Sequence, residues 1–390
     1  MTGTGRANGK IVVCGILFWF PLAGVTYQFL HYLIGLRRLG YDVYYVEDTV
    51  GRWVYDPRND TMSGDASANV AVVAPVLERY GLAGRWAFRG PGGRSYGMGD
   101  EQVARLYREA DALLNVTAAH ELRGEQLECK RRIYIESDPF SAQVLADAGD
   151  ARTIAILDAH DTHFSFGENI GAPDCGVPLA GVTWLPTRQP VVLSLWDNQV
   201  GADAAPYTTI ATWHNEGKCI DYRGDRYIWS KDRAFLEFLD VPRRVSVPFE
   251  LASSPDPHSR ARLEEGGWRL RNAVEVSATL EGYRSYICSS RGEFTVAREQ
   301  YVRPRTGWFS DRSACYLAAG RPVITQETGF SKFLPTGEGL FAFTTIDDVL
   351  EALDRLQRNP AASCRAAREI AAEYFAAERV LGSLMERAGL

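Results

Sequence analysis

A charged residue leading into an unbroken apolar run, Lys10 to Cys14, opens the pattern of the chain. Such a run marks a strand buried on both faces of a parallel sheet. The loop from Gly15 to Thr26 holds Pro21, Ala23 and Gly24. Val25, Phe29, Leu33, Leu36 and Leu39 then recur at helical spacing, and Gly40 supplies a stop. Asp42 to Val46 returns to a strand pattern, with Glu47 and Asp48 at its carboxyl end. Together these segments form one strand–helix–strand unit of about 35 residues.

The alternation continues. The spacing predicts helices over 69–80 and 101–112, with Pro75 expected to kink or break the first. Short apolar runs predict strands or strand ends at 113–116, 132–135, 154–157 and 163–166. Between Leu185 and Tyr207 the pattern loosens around Pro186, Pro190, Gly201 and Pro206, which places a domain junction there. Beyond it the pattern predicts strands at 208–212, 245–251, 268–270, 294–297 and 322–325. Helices are expected at 259–265, 280–289, after Phe309, at 346–358, and as one long amphipathic helix over 366–387. Strands alternating with helices argue for an α/β chain with doubly wound parallel sheets, whose ligands sit beyond the carboxyl ends of the strands. The expected division is 1–195, 205–365 and a terminal helix in 366–390.

Bulk properties narrow the function. A chain of 390 residues suits two cores. A net charge of -6 excludes a basic nucleic-acid binder. Five lysines (Lys10, Lys130, Lys218, Lys231 and Lys332) leave 38 of the 43 cations as Arg, whose planar forks suit phosphates and carboxylates. Seven cysteines without a Cys-x-x-Cys pair argue against zinc or a disulfide framework and point to a reducing cytoplasm. The apolar run from Ile11 to Phe20 is too short to span a membrane.

The richest stretch runs from Gly307 to Thr325: Gly-Trp-Phe-Ser-Asp-Arg-Ser-Ala-Cys-Tyr-Leu-Ala-Ala-Gly-Arg-Pro-Val-Ile-Thr. It reads as a loop, a helix, a Gly stop and a buried strand. Ser310 is placed to cap the helix, with Asp311, Arg312 and Ser313 in its first turn. A helix start offers free N–H groups and a positive dipole end to an anion. This order of elements, ending in Ala319-Gly320-Arg321-Pro322-Val323-Ile324, resembles the donor-site helix of nucleotide-sugar glycosyltransferases of the GT-B fold. Retaining members related to family four carry two Glu residues separated by seven others. Aligned on Gly320-Arg321-Pro322-Val323, those positions fall on Gly307 and Cys315, so the paired carboxylates are missing.

The resemblance implies two Rossmann-like domains facing each other across a cleft. It implies a nucleoside diphosphate sugar as donor, no required cofactor or metal, and a small-molecule acceptor bound to the first domain. For the donor it points to Asp311 on the ribose, to Ser310, Arg312 and Ser313 near the diphosphate, and to Arg291 upstream. It adds Glu327, Thr328 and Gly329 after the strand, and Gly24 across the cleft. Phe18, Trp19, Glu168 and Asn169 are the expected acceptor contacts. The loop after the first strand lacks a His or Asp, so the expected catalytic groups are Asp138 and the pair Asp161 and His163. Transfer of a hexose or deoxyhexose in secondary metabolism, by a cytoplasmic monomer or homodimer, is the resulting expectation. A sugar-nucleotide epimerase, a phosphorylase, or an inactive partner of another transferase stay open beside it.

Overall fold

The apolar run at the start of the chain becomes the middle of a sheet. A computed structural model describes residues 8–197 and 205–390. Its first half contains β1 (Lys10–Cys14), α1 (Ala23–Arg38), β2 (Asp42–Asp48), and a hairpin of β3 (Val54–Asp56) and β4 (Thr61–Ser63). There follow α2 (Ser67–Arg79), β5 (Trp86–Arg89), β6 (Ser95–Gly97), α3 (Asp100–Glu109), β7 (Ala112–Val116) and β8 (Arg132–Glu136). The half ends with α4 (Ser141–Asp147), α5 (Ala151–Asp158), β9 (Thr162–Ser165) and β10 (Trp184–Pro186). Eight strands form one sheet in the order β10-β9-β8-β7-β1-β2-β5-β6, parallel except for the last pair.

The second half begins with β11 (Tyr207–Ile210) and a hairpin of β12 (Ile220–Tyr222) and β13 (Asp225–Tyr227). Next come α6 (Asp232–Glu237), β14 (Phe249–Ala252), α7 (Pro257–Glu265), β15 (Trp268–Arg271), α8 (Ala273–Val276) and α9 (Leu280–Ser289). Then follow β16 (Gly292–Thr295), α10 (Glu299–Val302), α11 (Asp311–Ala318), β17 (Val323–Gln326) and β18 (Leu340–Phe343). Three helices close the chain: α12 (Ile346–Arg358), α13 (Pro360–Ile370) and α14 (Ala377–Arg387). Six parallel strands form the second sheet, in the order β15-β14-β11-β16-β17-β18. In both sheets the winding reverses at the first strand, β1 between β2 and β7 and β11 between β14 and β16. Such switch points leave a crevice at the carboxyl ends of the strands.

Three expectations are corrected. Residues 154–157 lie in α5, capped by the Asp150 carboxylate accepting from Thr153 N. A short apolar run does not by itself distinguish helix from strand. Pro75 sits inside α2 without ending it. The long terminal helix is divided, because a π-turn at Ala371–Phe375 leads to Ala376, whose ψ of 125° is extended. There Val191 docks edge-on, its N–H donating to Phe375 O at 2.7 Å and its carbonyl accepting from Ala377 N at 2.9 Å. Among the described residues no helix is long and apolar enough to cross a membrane.

After this break α14 returns to the first half and packs on α1. Leu381, Leu384 and Met385 share one apolar cluster with Ile11, Leu33 and Leu36. Gly35 permits the approach, since a Cβ there would stand 2.6 Å from Leu381 Cδ1 and 2.9 Å from Ala377 Cβ. Gly35→Val should therefore destabilise the chain by about 1–3 kcal/mol through overpacking. Urea unfolding measures this, and an unchanged midpoint would contradict the packing of α14 on α1.

Candidate active site

Loops at the carboxyl ends of both sheets enclose a cavity of about 790 Å³. Its first wall depends on a buried carboxylate. Glu47, fully buried at the end of β2, accepts from Phe18 N at 2.9 Å, Trp19 N at 2.6 Å and Tyr45 Oη at 2.5 Å. Burial pushes this carboxyl up to about 8, against the pull of its three donors. The clamp sets the loop after β1, so that Phe20, Leu22 and Gly24 reach the cleft. A Cβ on Gly24 would lie 3.3 Å from Tyr283 Oη of the opposite wall. Asp138, just beyond β8, lines the same wall.

The second wall is organised by Arg312. Its Nε lies 2.5 Å from Glu293 Oε1, Nη1 donates to Ile210 O at 2.5 Å, and Nη2 to Thr295 Oγ1 at 2.9 Å. The start of α11 is thereby tied to the ends of β11 and β16. Glu293 is fully buried, and its Oε2 has no hydrogen-bond partner among the described residues. Ser310 precedes α11 in extended backbone, φ −87° and ψ 137°, and lines the cleft with Asp311 and Arg312.

Two more cations face the cavity. Arg298 donates from Nη1 to Tyr301 Oη at 2.9 Å and to Asp138 Oδ1 at 3.3 Å, and its guanidinium lies 3.8 Å from the centre of the Trp229 ring. Tyr301 also donates to Asp138, which ties the walls together. Lys231 is 5% exposed, and no hydrogen bond or ion pair holds its ammonium among the described residues. Burial, with Arg312 and Arg298 nearby, drives its pKa well below the usual lysine value. Asp311 has no cationic partner among the described residues. Gln28 Nε2 donates to its Oδ1 at 3.5 Å. Burial, with the charge of Asp138, pushes its carboxyl up to about 7.

Of the residues singled out from sequence, Gly24, Asp138, Ser310, Asp311 and Arg312 come together in the cleft. The others do not line it. Phe18 is fully buried and stacks on Phe88 at 4.7 Å, while Trp19 lies beneath Arg52 at 4.2 Å. Glu168 takes the Arg188 guanidinium at 2.6 and 2.8 Å, and Asn169 donates to Arg305 O at 2.8 Å. Arg291 stands at the amino end of β16, remote from the ligand edge, and donates to Ala205 O at 3.2 Å. Ser313 is buried, and Thr328 Oγ1 donates to Trp308 O at 2.5 Å. Glu327 accepts from Gly329 N inside the same turn. Asp161 pairs with Arg132 at 2.7 Å, and His163 bonds Leu157 O at 2.9 Å. Because 154–157 is helical, both sit at the start of β9 rather than at its carboxyl end.

Sequence reasoning missed Lys231, Gln28, Tyr55, Asp60 and Tyr283, all of which line the cleft. Scarcity of lysine in an Arg-rich chain was the one available pointer to Lys231.

Residues 230–384 match the model of a glycosyl transferase-like family. No curated protein matches the chain. Solved structures similar in fold include HepE of Anabaena in complex with UDP and glucose, at 10% identity and a TM-score of 0.58, over 98% of this chain and 100% of that one. An α-glucosyltransferase in complex with UDP and a 13-mer DNA is similar at 8% identity and a TM-score of 0.55, over 99% and 100%. Sucrose-phosphate synthase from Thermosynechococcus elongatus is similar at 12% identity and 0.52, over 97% and 99%. Residues 230–384 thus carry a glycosyl transferase-like domain, and the chain as a whole shares the GT-B fold of these structures. The cleft between its halves is the candidate active site.

Two outcomes follow from this wall. Arg312→Ala leaves Glu293 buried without its cation and should cost about 3–5 kcal/mol, most of it recovered by adding Glu293→Gln. Chemical unfolding of the single and double variants measures both. Because the folded chain holds the Asp311 proton more tightly than the unfolded chain, that contribution to stability is lost as pH rises through about 7. Asp311→Asn should melt level with the natural chain near pH 4 and higher than it near pH 8. Parallel melting curves at every pH would contradict the burial of this carboxyl.

Proposed function

We propose that this glycosyltransferase moves a hexosyl or deoxyhexosyl group from a uridine diphosphate sugar to a hydroxyl of a small molecule. The observation that carries the reading is Lys231, a buried amine that faces the cleft beside the start of α11 with no hydrogen-bond or ion-pair partner among the described residues. A buried cation without a counter-ion costs free energy unless a ligand supplies one. The diphosphate of a donor supplies it. The bonds change as follows: the acceptor oxygen bonds the anomeric carbon, and the bond from that carbon to the phosphate oxygen breaks. Its electron pair leaves with the diphosphate. Lys231, Arg298 and the N–H groups of the first turn of α11 face the charge that develops. Arg312 acts mainly by holding that turn in place.

Asp138 is the candidate base for the acceptor proton, since it stands on the opposite wall at the end of β8. Asp311 is the candidate ribose ligand. Acceptor binding is assigned to residues 1–195 and donor binding to 205–365, with 366–390 packing back on the first unit. The UDP in the complexes of HepE and of the α-glucosyltransferase supports uridine as the base. A cytoplasmic role in secondary metabolism, as a monomer or homodimer and without nucleic acid, completes the proposal.

UDP should raise the melting temperature of the full chain, as any ligand selective for the folded state does. Lys231→Ala should weaken UDP binding roughly 10- to 100-fold by calorimetry, the value of a charge-assisted contact. Asp138→Asn should leave UDP affinity intact and lower kcat by about 100- to 10,000-fold. Unchanged UDP affinity in Lys231→Ala would refute the diphosphate assignment.

A further inference from the structure

Charge is divided between the two walls of the cleft. Among the described residues, every lysine and arginine that lines it, Lys231, Arg298 and Arg312, comes from the second half. The described residues of the first half contribute Asp60 and Asp138 but no lysine or arginine, and burial holds His31 neutral, at about 3. Asp138 is already met by Arg298 and Tyr301. Asp60 is exposed and has no ion-pair partner among the described residues. Its one hydrogen bond from another side chain comes from Tyr55 Oη at 2.7 Å.

Asp60 closes the β3–β4 hairpin, with φ at 48°. That hairpin rests on the loop after β1 through Tyr55 N donating to Trp19 O at 2.9 Å, and through the Tyr55 ring, which stacks on Phe20 at 6.0 Å. Phe20, Tyr55 and Asp60 all line the cavity. The first wall thus offers two aromatic rings and a carboxylate at its rim. Aromatic faces attract flat rings and cations, and a neighbouring carboxylate favours the cation further. An anionic acceptor would meet Asp60 and Asp138 with no cation on that wall.

We propose that the acceptor is a hydroxylated ring compound bearing a basic amine, with its ring against Phe20 and Tyr55 and its ammonium beside Asp60. This deepens the glycosyl-transfer reading and rests on it for the role of the hydroxyl. It assigns acceptor choice to the β3–β4 hairpin, and it sets phosphorylated and carboxylated acceptors aside on charge.

Calorimetry on the full chain at saturating UDP tests the proposal with three matched phenols: tyramine, 4-ethylphenol and 3-(4-hydroxyphenyl)propanoate. Tyramine should bind about tenfold more tightly than 4-ethylphenol, and the propanoate most weakly. Asp60→Asn, which keeps an acceptor for Tyr55, should reduce tyramine to the level of 4-ethylphenol and leave the latter unchanged. Tyr55→Leu should weaken tyramine and 4-ethylphenol alike, and melting curves of both variants check that they fold. Equal or tighter binding of the propanoate, tyramine binding untouched by Asp60→Asn, or no tyramine binding would each overturn the proposal. A separate UDP titration reads the donor side alone. UDP binding without tyramine binding defeats this inference only, whereas tyramine binding without UDP binding defeats the donor assignment.

Discussion

The pair of Arg312 and Glu293 is the contact on which the second wall of the cleft depends. A buried ion pair adds little net stability over an apolar replacement, but removing one member leaves a charge stranded in the interior. Its effect is therefore geometric. Three nitrogens of one guanidinium reach Glu293, Ile210 and Thr295, so the start of α11 is held at the switch point between β11 and β16. Free N–H groups at a helix start matter to an anion only when the helix cannot drift. Glu47 does the corresponding work on the other wall, with two backbone N–H groups and a tyrosine hydroxyl in place of a guanidinium.

The halves are joined on one side of this cleft by polar contacts that use up several residues suited to ligand binding. Arg188, held by Glu168, donates to Phe333 O at 3.4 Å, and Asn169 meets Arg305 O. Lys332 reaches both Asn169 and Asp174. Gly307 is required in this joint, because it has a φ of 80° and a Cβ there would lie 2.5 Å from Asn169 N. The position on which the sequence resemblance would place the first Glu of the paired motif is thus occupied by a close backbone approach. Satisfying these groups within the protein leaves Lys231 as a cation of the cleft with no internal counter-ion among the described residues.

Much of the fold was legible because strand and helix periods are local. The run Lys10–Cys14, the stripe along α1, and the loop, helix, Gly stop and strand around α11 all carry their pattern within a few residues. The break at Ala376 was not legible, since it depends on Val191, far away in the chain. The three-residue strands β3 and β4 were likewise too short to show a period. Site residues divided along the same line. Asp311 and Arg312, read from a recognisable helix start, do reach the cleft. Arg291 and Asn169 were polar loop residues whose neighbours are set by tertiary packing, and packing turned them away from the cleft. Lys231 has no local motif and became visible only through its burial.

A crystal structure of the full chain with UDP tests the central claim most directly. The account places the phosphates at the first turn of α11, within hydrogen-bonding reach of Lys231 Nζ and the backbone N–H groups that follow Ser310. Phosphates bound elsewhere, or a Lys231 ammonium that stays free while UDP is seated, would contradict it.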